Sequence, residues 1–216
     1  MQAARGTPVG TAEAAGGSRG LVRVVFVLVA LIAYATDQVS KAVAVAKLDG
    51  RPDVDVVGEL LQLNLVRNPG AAFSIGTELT PVLTVLSVVA AVTVLWFARR
   101  LGSPAWAVAL GLLLAGVTGN LTDRILRPPG SFQGHVIDFL QLPNWPVFNV
   151  ADMCINVAAG LIILQAFRGM RLDGTRESDT EPDTDTDTEP DAESDTVDTD
   201  RDAAPAAGET TEVESE

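Results

Sequence analysis

The chain reads as an α-helical integral membrane protein of 216 residues, with four transmembrane helices, a small extracytoplasmic β element and disordered termini. Three observations predict this class. Four apolar runs, at about residues 24–46, 81–98, 105–121 and 149–167, each approach the ~20 residues that cross a ~30 Å hydrocarbon layer as helix. Arginines gather at alternate ends of those runs. Beyond them, both ends of the chain are polar or small-residue sequence with few large apolar side chains.

Residues 1–20, rich in Gly, Ala and Thr, are expected to form a disordered cytoplasmic tail, and residues 21–171 the four-span domain. The first run follows Arg19 and Arg23 and contains Ala33-Tyr34-Ala35, the A-x-A pattern at which a secretory signal is cut. Apolar helical sequence continues through Val39, Ala42, Val43, Val45 and Ala46, which favours a retained span. Arg5, Arg19 and Arg23 precede span one, Arg99 and Arg100 follow span two, and Arg168, Arg171 and Arg176 follow span four. The positive-inside rule makes all three regions cytoplasmic, so both termini are inside. The loops from Lys47 to Thr80 and from about Thr122 to Phe148 then lie outside, with Arg124 and Arg127 as exceptions held by local partners.

The outer loops carry their own pattern. Leu61-Gln62-Leu63-Asn64-Leu65 alternates as a half-buried strand does, and His135-Val136-Ile137-Asp138-Phe139 suits a second short strand. Asn68-Pro69-Gly70 marks a turn. After it, Ala71, Ala72, Phe73 and Ile75 are apolar enough to cover a site or to anchor in the bilayer.

The formal net charge of -13 belongs to the C-terminus: residues 172–216 carry 18 Asp or Glu against Arg176 and Arg201. Residues 1–171 hold 13 Lys or Arg and 10 Asp or Glu. The acidic segment cannot bury enough apolar surface to offset its ordering entropy, so 172–216 is expected to be a disordered, solvated cytoplasmic tail. Its charge argues against a nucleic-acid partner. The single cysteine, Cys154, excludes an intrachain disulfide and sits where a packing residue is expected.

In this topology Asp37 falls in the outer half of span one, Asp123 at the outer end of span three, Asp138 in the outer loop and Asp152 in the first turn of span four. No span carries an acid in its inner half. Carboxylates at membrane depth are a functional signal by default. Each also has a plainer reading. Asp37 and Lys41 share a helix face and can neutralise one another. Asn149 and Asp152 have the spacing of a helix N-terminus, where an acid complements the dipole. Gly119-Asn120-Leu121-Thr122-Asp123-Arg124 reads as a span ending in a polar cap with an adjacent ion pair. The lone His135 reads as a loop histidine. With no second His, no Cys pair and no H-E-x-x-H, zinc and serine-triad chemistry lack their parts, and no metal or organic cofactor is expected. Three classes stay open on the residues alone: a carboxylate hydrolase, a small carboxylate-lined transporter, and a non-catalytic membrane scaffold.

Five motifs in order narrow the choice: Asp37-Gln38-Val39-Ser40-Lys41, Asn68-Pro69-Gly70-Ala71-Ala72-Phe73, Gly119-Asn120-Leu121-Thr122-Asp123-Arg124, Val136-Ile137-Asp138-Phe139 and Phe148-Asn149-Val150-Ala151-Asp152. Together they closely resemble the bacterial lipoprotein signal peptidases, also called signal peptidase II, over roughly Leu21 to Phe167. The acidic tail is outside that pattern, and the segment between Arg124 and Val136 is longer than is usual there. The resemblance implies an intramembrane aspartic endopeptidase of the cell membrane, its site toward the outer face. It removes signal peptides from prolipoproteins whose lipobox Cys carries diacylglycerol, cutting on the amino side of that Cys. By motif position Asp138 and Asp152 are the catalytic dyad. Asn68, Gly70, Asn120, Arg124 and Asn149 match positions that support the dyad or bind substrate and globomycin-type inhibitors, and Asp37, Lys41 and Asp123 are further supporting positions. Expected partners are the lipidated precursor and membrane lipid, with the enzyme a monomer.

The chemistry agrees. Two carboxylates in a poorly hydrated site share a proton, giving one acid and one base. Asp123, beside Arg124 in sequence, suits an orienting ion pair better.

Overall fold

The computed structural model describes residues 11–70 and 80–176. Its elements are α1 (Thr11–Leu48), β1 (Val54–Val57), β2 (Leu61–Asn68), α2 (Thr80–Ala98), α3 (Pro104–Leu126), β3 (Val136–Gln141) and α4 (Val150–Phe167). Four helical stretches, Arg19–Leu48, Thr80–Ala98, Pro104–Leu126 and Val150–Phe167, are long and apolar enough to cross a membrane. Large apolar side chains stay exposed along them, among them Leu31, Ile32, Val85, Val92, Val157 and Ile163. Such a surface suits lipid as its solvent.

Local sequence explains the ends. α1 stops before Gly50, whose φ of +68° no helix accommodates. Its start at Thr11 lies inside the segment expected to be disordered to residue 20; Glu13, Ala14 and Ala15 are good helix formers. α3 opens on Pro104 and ends at Arg127, extended because Pro128 follows it. This helix runs past the expected end at residue 121, so Asn120, Asp123 and Arg124 are on helix, not in a cap. α4 starts with a full capping box: Asn149 Oδ1 accepts the Asp152 N–H at 3.0 Å, and Asp152 Oδ2 accepts the Asn149 N–H at 3.1 Å.

α3 is the central helix, packed against α1, α2 and α4. Small residues on it let the neighbours approach. A Cβ at Gly119 would meet Asp37 Oδ2 at 2.5 Å and the Ala151 methyl at 3.2 Å, so α1 and α4 close on this point. One apolar cluster, Val22, Phe26, Val94, Leu101, Ala107 and Leu110, sits at the end where α1 and α3 lie close to the α2–α3 turn. A second, Ala44, Leu48, Ile137 and Phe139, joins α1 to the sheet at the other end.

The sheet is antiparallel in the order β1-β2-β3. β2 and β3 match the two expected strands; β1 was not among the expectations. The loop between α3 and β3 folds back on the helix end, with Gly134 N–H donating to Arg124 O at 2.9 Å and His135 N–H to Pro128 O at 3.0 Å. A side chain at residue 134 would collide with the carbonyls of Arg124 and Arg127, so Gly is required. At the opposite end, residues 168–176 form a turn against the start of α3. Gly102 N–H donates to Leu172 O at 2.9 Å and Trp106 Nε1 to Met170 O at 3.0 Å. The expected tail boundary at residue 171 therefore falls within a packed turn. Residues 71–79 and 177–216 lie outside the described residues, and with them the cover expected from Ala71, Ala72, Phe73 and Ile75 and most of the acidic tail.

Candidate active site

Asp138 comes to the site on β3. It pairs with Val66 of β2, and Asn68 lies two residues further along β2, on the same sheet face. Asn68 Nδ2 donates to Asp138 Oδ2 at 2.9 Å. Asp152 comes from the first turn of α4. The two acids are 14 residues apart in sequence numbering and on different elements, yet both line one cavity of about 310 Å³. Asn149 bonds both: its Nδ2 donates to Asp138 Oδ1 at 2.6 Å while its backbone N–H donates to Asp152 Oδ2. Asn120, from α3, donates to Asp152 Oδ1 at 2.8 Å and accepts from Asn149 Nδ2 at 3.1 Å. Asn68, Gly70, Asn120 and Arg124 line the same cavity.

Behind this wall is a second layer of charge. Lys41 is fully buried, and its ammonium meets Asp37 Oδ2 at 2.9 Å, Asp123 Oδ2 at 2.9 Å and Asn120 Oδ1 at 3.0 Å, one acceptor for each hydrogen. Both carboxylates grip backbone. Asp37 Oδ1 accepts the Ala151 N–H at 2.8 Å, and Asp123 Oδ2 accepts the Ile137 N–H at 3.2 Å. Ala151 immediately precedes Asp152, and Ile137 immediately precedes Asp138. One lysine thus ties together the two elements that carry the acids of the cavity.

Asp123 departs from the sequence expectation. Its partners are Lys41 and Arg127, the latter in close contact, and not Arg124. The reason is helical geometry: residues 123 and 127 share a face, whereas 123 and 124 point about 100° apart. Arg124 instead makes long contacts from its guanidinium to Asn120 O at 3.5 Å and Gly70 O at 3.4 Å. It forms no ion pair among the described residues. Of the two readings of Asp37 and Lys41, the structure favours mutual neutralisation, since neither lines the cavity. His135 lies in a different recess, with Arg67, Arg127 and Ile137.

Burial raises the Asp138 pKa to about 7. The Asn68 hydrogen bond opposes this shift, the Asp152 charge adds to it, and Asn149 and Lys41 oppose it more weakly. Among the described residues no group of His, Cys, Asp and Glu is arranged to hold a metal ion.

Sequence reasoning passed over four lining residues, Trp145, Pro146, Val147 and Asn156. Trp145 lies in the loop that returns from β3 to α4 beside Leu140 and Phe148, which pair as an isolated bridge. Asn156 had a signal available, an amide within an apolar run and four residues after Asp152.

The fold and this site define a multi-span membrane protein whose acids and amides converge at one end of its helices. The chain belongs to the signal peptidase II family, whose model, described as Signal peptidase (SPase) II, matches residues 29–168. It is 48% identical over 157 residues to a lipoprotein signal peptidase of Leifsonia xyli, covering 72% of this chain and 73% of that one. A lipoprotein signal peptidase of Streptomyces griseus is 45% identical over 167 residues, covering 77% of this chain and 85% of its own. One from Rhodococcus jostii is 46% identical over 156 residues, covering 72% and 78%. Two solved structures of a bacterial membrane enzyme, obtained by the in meso method at 2.3 Å and 1.9 Å, each align with a TM-score of 0.58 at 26% identity. They cover 67% and 66% of this chain and 88% and 92% of their own. The chain is accordingly a signal-peptide-removing peptidase and a multi-pass protein of the bacterial membrane.

Proposed function

We propose that the chain is an intramembrane aspartic endopeptidase that cleaves diacylglyceryl-modified prolipoproteins on the amino side of the lipidated Cys, with Asp138 and Asp152 as the catalytic dyad. One observation carries the reading: two carboxylates from separate elements line a single cavity and are bonded to the same residue, Asn149. Burial favours the protonated form of Asp138 near neutrality. Asp152 accepts an amide and a backbone N–H at the positive end of α4, surroundings complementary to a carboxylate anion.

The roles follow. Asp152 takes a proton from a water between the two acids, and that water attacks the scissile carbonyl. Asp138 holds the proton that polarises the carbonyl oxygen and afterwards passes to the leaving amine. Arg124, whose protein contacts are long, has capacity left for the charge that develops on that oxygen. Asn68, Asn120 and Asn149 fix the carboxylates; Asp37, Lys41 and Asp123 hold the backbone beneath them. Gly70 supplies a carbonyl at the cavity wall.

The same reading puts the site toward the outer face, both termini in the cytoplasm and the acidic tail in solvent, with the enzyme acting as a monomer. A precursor whose acyl chains stay in the outer leaflet presents its cleavage site at that depth. Purified protein incubated with a diacylated lipobox peptide tests the proposal. The expected product starts at the lipidated Cys by mass spectrometry, and globomycin blocks its formation. A product cut elsewhere, or no cut, contradicts the proposal.

A further inference from the structure

We propose that Asn156 binds the peptide backbone of the signal sequence just upstream of the cleaved bond. This rests on the peptidase reading above and adds a substrate-positioning residue to it. Asn156 lies four residues after Asp152 on α4, hence on the same face and about 6 Å further along the helix. It lines the cavity that holds Asp138, Asp152 and Arg124. Its side chain is exposed in a helix whose other exposed residues near it, Met153 and Val157, are apolar.

An amide facing hydrocarbon is costly, so its presence calls for a partner. Nδ2 donates to the Asp152 carbonyl at 2.9 Å, which fixes the orientation of the group. Its Oδ1 and second N–H have no hydrogen-bond partner among the described residues. The substrate supplies the matching need. A signal helix cannot be cut while its backbone is wound, and unwinding at this depth leaves peptide N–H and C=O groups with neither helix nor water to satisfy them. One carboxamide offers an acceptor and a donor to such a peptide unit. Trp145, Pro146, Val147 and Phe148 form an apolar wall of the cavity for the accompanying side chains. Because Asn156 is deeper in the span than Asp152, it faces the side of the bond that continues into the membrane, which is the signal-peptide side.

The test pairs Asn156→Leu with substrates in which one upstream peptide N–H at a time, over the three residues before the cut, is replaced by an ester oxygen. Asn156→Leu is expected to lower kcat/KM about tenfold on the parent peptide, the scale of one lost hydrogen bond. Its Tm is expected to be unchanged or higher. One of the esters is expected to slow wild type by a similar factor and to slow Asn156→Leu no further. Wild-type rates in Asn156→Leu, or ester effects that persist undiminished in it, would overturn the proposal. If wild type fails to cut the parent peptide, the peptidase reading itself falls; if wild type cuts it and Asn156→Leu is indistinguishable, only the role of Asn156 falls.

Discussion

Asp37 accepts the backbone N–H of Ala151 at 2.8 Å, across the interface of α1 and α4 and one residue ahead of Asp152. Asp123 does the equivalent for Ile137, one residue ahead of Asp138, and Lys41 bonds both carboxylates. The position of each acid in the cavity is thus set by a buried charge it does not itself touch.

Removing the shared cation should be severe. Lys41→Met leaves Asp37 and Asp123 buried without their common partner, a situation that typically costs ~3–5 kcal/mol. Thermal unfolding in detergent should show a large fall in Tm with loss of peptide cleavage. Adding Asp37→Asn, which removes one stranded charge and keeps an acceptor for Ala151, should recover part of the Tm. No recovery would mean that the charge is not the cause.

Gly119 should tolerate no side chain. A methyl there would sit 2.5 Å from Asp37 Oδ2 and 3.2 Å from the Ala151 Cβ, with little room to relax between three packed helices. Gly119→Ala should destabilise by ~1–3 kcal/mol, the usual scale of overpacking, and lower activity by displacing the start of α4. Equal Tm values for the two proteins would show that the interface yields.

The proton on Asp138 predicts a pH profile. With its pKa raised to about 7, the acid form is lost as pH climbs through that value. kcat/KM should therefore fall above about pH 7, approaching tenfold per pH unit on the alkaline side. A profile flat from pH 6 to 9 would remove Asp138 from the role of proton holder.

Stability should respond to the same shift. The folded pKa is above the ordinary carboxylate value of 3.8, so between roughly pH 4 and 7 the folded chain binds more protons than the unfolded one at this site. Asp138 therefore lowers stability as pH rises through that window. The Tm of wild type should decline from pH 5 to pH 8 relative to that of Asp138→Asn, which cannot titrate. Parallel Tm curves for the two proteins would contradict the shift.

Much of this architecture was legible from composition and period. The four spans follow from hydropathy, β2 from strict alternation in Leu61–Leu65, and the start of α4 from the Asn149–Asp152 spacing. The strand at Val54–Val57 was not, because its four residues are all exposed and bury no face that a pattern would reveal. The extension of α3 was hidden for the opposite reason. Asn120 and Asp123 look like a polar cap, yet both are buried, satisfied by Lys41 from another helix. A partner 79 residues away leaves no local mark, whereas Arg124, adjacent in sequence, invited the wrong pairing. The arrival of Asp138 at Asn149, beside Asp152, is likewise a product of packing; sequence supplied the motifs, and tertiary structure supplies their meeting.

If Asp138 and Asp152 act as one dyad, neither is dispensable. The most direct measurement is the cleavage rate of a diacylated lipobox peptide by Asp138→Asn and by Asp152→Asn, each purified and checked for folding by its Tm. Each variant should lose at least about a thousandfold in turnover while remaining folded, since neither acid can do the other's task. Substantial cleavage by either folded variant would rule out a dyad of these two acids.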